Sequence, residues 1–128
     1  MNKSKELIIS KNDHETLSVL VGNLETDTGL LIQEELDRAT LVEDESLPEN
    51  VVSMGSVVTF VDESNGQEMT IRLLYPHDMK IESAYQKVSV LAPVGAALIG
   101  LGIGHTIEWP LPNGKTKHLK VTSVFNEK

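Results

Sequence analysis

The chain of 128 residues contains no cysteine. That excludes a disulfide scaffold, a thiol nucleophile and a thiolate zinc site, and it suits a reducing, cytoplasmic setting. Aromatic side chains are few: Trp109, Phe60, Phe125, Tyr75 and Tyr85 are all there are. Single-stranded nucleic acid is gripped by several exposed aromatics set among cations. Here Phe60 and Phe125 are expected in the core, with Trp109 as a lid over one end of it. Positive charge is also short, with 11 basic against 19 acidic side chains. A surplus of carboxylates repels phosphate backbones, so no direct sequence-specific DNA binding is expected. The longest uncharged apolar run, residues 88–104, interrupted by Pro93 and four glycines, has 17 residues. A membrane-spanning helix needs roughly 20 predominantly apolar residues, so no membrane association is expected. The opening MNKSKELIIS has only three consecutive apolar residues, too few for a signal-peptide core.

The negative charge is unevenly placed. Residues 1–50 hold 12 acidic and 4 basic side chains, whereas residues 51–128 hold 7 of each. Hydrophobic periodicity changes at the same place. Leu17, Leu20, Val21 and Leu24 follow the i, i+3, i+4, i+7 spacing of one helical stripe. Ser10 can cap that helix with Asp13 in its first turn, which predicts a helix from about Lys11 to Asn23. ETDTG (Glu25 to Gly29) reads as a turn, and a second helix is expected from about Leu30 to Leu41 with Ile32, Leu36 and Ala39 inward.

Beyond the acidic EDESLPEN (Glu43 to Asn50), the period is that of strands. SVVTFVDE and QEMTIRLLY flank Asn65-Gly66, a strong hairpin signal because both residues tolerate positive φ. KVSVL is a third strand, and TIEWPL and KHLKVTSVF flank Pro112-Asn113-Gly114 as a second hairpin. In the last strand Leu119, Val121 and Phe125 alternate with Lys120, Thr122 and Val124, one face buried and the other wet. Between these strands Pro93 is placed to open a helix, and Gly100, Gly102 and Gly104 to close it. The expected organisation is a helical hairpin over 1–45, an acidic linker and lead-in over 46–55, and a sheet domain over 56–128.

No catalytic constellation is visible. Phosphate loops open helices, whereas these glycines close one. His14, His77, His105 and His118 lack the spacing of metal ligands on one helix face. His105 and His118 either meet across the second hairpin or stand solvated at the surface. No GxSxG occurs, so no serine-hydrolase elbow is present. Neither a metal nor a cofactor is expected.

LAPVGAALIGLGIGHTIEWPLPNGKTKHLKVTSV (Leu91 to Val124) resembles the carboxy-terminal domain of the GreA/GreB transcript-cleavage factors. In that pattern a strand ends in Ser-Pro, an Ala-Leu-rich helix follows, and Gly-Asp precedes the next strand; Ala92 stands here for the serine. EELDRATLV, VVSMGSVVTF, LLYPHDM and SVLAPVGAALIGL look closer still to a branch with a shorter hairpin, the regulators of nucleoside diphosphate kinase. The resemblance implies an α+β fold, a short amino-terminal antiparallel helical hairpin followed by an FKBP-like antiparallel sheet with one crossing helix. It also implies a partner, RNA polymerase, engaged at its secondary-channel rim through Ala92, Pro93, Val94 and Gly95. Pro93 has a fixed φ and no amide hydrogen, so a rigid knob there costs little ordering entropy on binding. Gre hairpins carry an acidic tip motif that helps hold the polymerase's magnesium. That string is absent, and only Glu25 and Asp27 supply acid at the turn. The expectation is a monomeric, cytoplasmic, non-catalytic regulator of transcription. The rival readings are a peptidyl-prolyl isomerase, as some FKBP-like folds are, and a general chaperone.

Overall fold

The computed structural model describes residues 7–22, 24, 26–110 and 114–126. Strand β1 (Ile8–Ser10) runs straight into helix α1 (Lys11–Val21). Ser10 is its N-cap, with its hydroxyl accepting the Asp13 N–H at 3.2 Å, as the capping pattern predicts. Leu17 and Val21 are buried and Leu20 and Leu24 pack partly against the same cluster. Helix α2 (Asp27–Arg38) begins earlier than the periodicity indicates. The reason is Thr26, whose hydroxyl accepts the Gly29 N–H at 3.0 Å and so caps the helix inside the expected turn. It also ends earlier, because Ala39 is extended and Thr40–Val42 forms strand β2, which pairs in parallel with β1. A ring nitrogen of His14 on α1 lies 3.2 Å from the Leu36 carbonyl in the last turn of α2.

The segment after β2 is ordered by its charges. Lys11 pairs with Glu43 at 2.6 Å, and Asp44 accepts the Asn12 N–H at 3.2 Å. Five strands follow: β3 (Val57–Asp62), β4 (Gln67–Leu74), β5 (Gln86–Ser89), β6 (Thr106–Pro110) and β7 (Thr116–Phe125). They form one sheet in the order β5-β4-β3-β7-β6. β3 and β4 make the predicted hairpin, with Gly66 at φ +73°. The turn of the second hairpin, residues 111–113, lies outside the described residues. Every pairing in this sheet is antiparallel except β4 with β5. Residues 75–85 carry the chain back along β4, so that Gln86 enters opposite Ile71 in the same direction. Helix α3 (Pro93–Leu98) follows β5, opening at proline as expected.

The alternation read from the last strand holds only to its middle. Phe60 pairs with Val121 but Thr59 with Ser123, so β7 carries one extra residue, Thr122, at this point. Such a bulge exchanges the two faces of everything beyond it. Leu119 and Val121 are buried as expected, but Val124 packs on the core and Phe125 is 57% exposed. The expected core position of Phe125 is thereby corrected. Truncating Phe60 to alanine should cost about 3–5 kcal/mol, as for other buried phenylalanines. Truncating Phe125 should cost less than about 1 kcal/mol, and urea melts of the two variants with equal losses would contradict the bulge.

The face carrying Val58, Phe60, Ile71, Leu73, Ile107, Leu119 and Val121 is covered by Ala96, Leu98 and Ile99 of the α3 segment and by the hairpin's Leu17, Val21, Ile32 and Leu36. Sheet and hairpin thus share one apolar cluster. Across the other face, Thr59 and Thr70 join hydroxyls at 2.9 Å. Among the described residues no helix is long and apolar enough to cross a membrane.

Candidate docking surface

The turn between β5 and α3 is built from backbone bonds. The Val90 N–H donates to the Leu74 carbonyl at 2.8 Å and fixes the exit from the sheet. The Ser89 hydroxyl accepts the Leu91 N–H at 3.1 Å, and its carbonyl accepts the Ala92 N–H at 2.9 Å. Ala92, extended at φ −69° and ψ 144°, is the N-cap of α3 and has no side-chain oxygen to offer. Its carbonyl takes the Ala96 N–H at 2.9 Å, so the helix starts directly out of the turn.

Gly95 sits beneath this turn. A Cβ there would come within 2.3 Å of the Ser89 carbonyl oxygen and 3.1 Å of Leu73 Cδ1. Only glycine lets the first turn of α3 lie this close to the end of β5. Gly100, at φ +82°, ends the segment. Its N–H goes to the Val52 carbonyl at 3.0 Å, and its carbonyl accepts the Ile8 N–H of β1 at 3.2 Å. Of the four residues the sequence nominates, Ala92 and Val94 stand half-exposed, Pro93 is the first residue of α3, and Gly95 is buried. The turn is a ledge braced by hydrogen bonds to the end of β5.

At the hairpin end, Asp27 lies exposed in the first turn of α2, where its charge favours the positive end of the helix. Glu25 lies outside the described residues, as do the side chains of Trp109 and Pro93. The histidines are not brought together. His105 accepts the Gly102 N–H on Nδ1 at 3.1 Å, whereas His118 faces Glu108 at 3.3 Å across β6 and β7. No group of three or more metal-ligating side chains occurs among the described residues.

Two features beside the ledge were not anticipated. Lys87 reaches across to the carbonyls of Met79 and Ile81 at 2.5 and 2.8 Å, pinning residues 75–85 against β5. That leaves Ile81 and Tyr85 exposed next to the sheet edge. Asp13, read as a helix-start residue, is buried against the sheet: its carboxylate accepts the Met54 N–H at 3.1 Å and the Tyr75 hydroxyl at 3.2 Å. Burial raises its pKa above the usual carboxylate range, and those two donors oppose the rise.

Residues 47–126, which include the ledge and the whole five-stranded sheet, match the family described as transcription elongation factor, GreA/GreB, carboxy-terminal. The chain belongs to the GreA/GreB family. It is 40% identical over 122 residues to the regulator of nucleoside diphosphate kinase of Escherichia coli strain K12, covering 92% of this chain and 88% of that one. It is 32% identical over 87 residues to the transcription elongation factor GreA of Syntrophomonas wolfei, covering 68% of this chain and 54% of that one. Among solved structures it resembles the prokaryotic transcription elongation factor GreA/GreB from Nitrosomonas europaea, with TM-score 0.78 and 38% identity over 95% of this chain and 99% of that one. The α+β architecture of hairpin and sheet is therefore that of GreA/GreB-type factors, and the similar proteins are regulators and transcription factors.

Proposed function

We propose that this protein binds RNA polymerase at the rim of its secondary channel and regulates transcription by occupancy, without catalysing transcript cleavage. The observation that carries this reading is the ledge: in a GreA/GreB-family chain, Ala92 to Gly95 form a backbone-braced turn with small side chains, which loses little entropy on burial. The hairpin supports the non-catalytic reading. A helix of 12 residues such as α2 spans ~18 Å at 1.5 Å per residue. Metal-assisted hydrolysis needs carboxylates placed to within about 1 Å, and the acidic Gre tip string is missing. The protein would work in the cytoplasm without a cofactor and without reading DNA sequence.

Purified core polymerase should capture the full chain, and backtracked complexes should show no accelerated cleavage on its addition. Prior addition should reduce cleavage by a Gre factor competing for the same rim. Ala92→Asp supplies a side-chain cap to α3, so it should not lower the melting temperature. It also sets a charge in the desolvated contact and should weaken capture by about tenfold or more. Equal capture by a folded Ala92→Asp variant would move the docking surface elsewhere. Strong cleavage by the protein alone, lost in a Glu25→Ala, Asp27→Ala double variant, would make the short hairpin catalytic.

A further inference from the structure

The shared apolar cluster draws the helical hairpin onto the sheet, but burial of apolar area has no direction. Direction needs hydrogen bonds, whose angles are restricted. Beside the Ile8 N–H bond to the Gly100 carbonyl, Asp13 supplies them: at 8% exposure it projects from the first turn of α1 into the sheet domain, where its two oxygens accept from Met54 and Tyr75. Met54 lies between the Val51–Gly102 bridge and β3, and the Tyr75 ring stacks on His77 at 5.3 Å with 8° between planes. Tyr75 also follows Leu74, whose carbonyl holds Val90 at the base of the docking ledge. One hydrogen bond, one peptide link and a second hydrogen bond therefore connect the start of α1 to the ledge.

We propose that Asp13 is a positioning residue, whose carboxylate, clasped by the Met54 N–H and the Tyr75 hydroxyl, sets the angle at which the hairpin leaves the sheet. When the ledge is docked, that angle decides where the hairpin tip lies, an inference that in this last step rests on the docking reading above. No cation among the described residues is hydrogen-bonded to Asp13 or paired with it; Asp44 is the other charge felt there, and its Oδ1 accepts the Asn12 N–H. Removing such a carboxylate alone is costly, because leucine in its place leaves the Met54 N–H and the Tyr75 hydroxyl without this acceptor. What leucine cannot supply is the angle. Asparagine can, with its oxygen on Met54 and its amide donating to the Tyr75 oxygen.

Because the chain has no cysteine, Val19→Cys on α1 and Lys120→Cys on β7, both exposed, give two unique spin-label sites in the intact 128-residue chain. Pulsed dipolar spectroscopy should show one narrow distance distribution in the parent and in Asp13→Asn. In Asp13→Leu, measured well below its own lowered melting temperature, it should be about twofold wider or shifted, and Tyr75→Phe should show the same change in smaller degree. A role in stability alone would lower the melting temperature and leave the distribution of the folded population narrow. A narrow, unshifted distribution in folded Asp13→Leu would overturn the proposal; if that variant does not fold, the same result for Tyr75→Phe would do so. The distance measurement contains no polymerase, so its failure removes the positioning role alone. Failure of the parent to be captured by polymerase removes the docking reading alone.

Discussion

Glu35→Gln is expected to melt well above the parent at pH 8, and the gap to close as the pH falls toward 5. Glu35 on α2 is 7% exposed, and its Oε1 has no hydrogen-bond partner among the described residues. Burial pushes its pKa up to about 8; Arg38 opposes the rise and Glu34 adds to it. The unfolded chain releases this proton near pH 4.5. Between these values the folded state holds a proton that the unfolded state has lost, so each step up in pH favours unfolding. The stability present below about pH 4.5 is lost progressively and the loss is complete above about pH 8. At about 1.4 kcal/mol per unit the loss between pH 5 and 8 is on the order of 3 kcal/mol, or roughly 10 °C in melting temperature. Glutamine carries no such proton and should remove that part of the slope. Parallel melting curves for parent and Glu35→Gln across pH 5 to 8 would show that the side chain finds a partner or water when ionised.

Gly95→Ala should be the costliest of the glycine-to-alanine exchanges in this chain. The Cβ would meet a backbone oxygen at 2.3 Å, far inside contact distance, and Ser89 cannot retreat because it is held in β5. Either α3 lifts off the sheet or the end of β5 breaks from β4. Overpacking of this kind costs about 1–3 kcal/mol when side chains can give way, and the upper end or beyond is expected where the obstacle is backbone. Because the displaced atoms are those of the ledge proposed to dock, polymerase capture should fall together with stability. Chemical denaturation and pull-down of Gly95→Ala check both, and a loss below about 0.5 kcal/mol would mean that strand and helix are not in contact here.

Local signals were enough to read much of this protein. Helix α1, its Ser10 cap, the Asn65-Gly66 hairpin and the proline that opens α3 each rest on residues within a few positions of one another, and all appear where periodicity and turn chemistry put them. The family was legible for a related reason: the unusual apolar run and its flanking turns occur in a fixed order. What the sequence could not show are pairings between distant residues. Strands β1 and β2 have three residues each and no period of their own; they exist because the hairpin brings them together. The bulge at Thr122 depends on the register against Thr59 and Phe60, so the side on which Phe125 falls was undecided until β3 and β7 met. Asp13 reads locally as a capping residue, and Glu35 as one carboxylate among many on an acidic helix. Only tertiary structure buries them, placing Asp13 against Tyr75 across 62 residues of chain and leaving Glu35 Oε1 without a donor among the described residues. The environment of a charge is set by the elements that close over it.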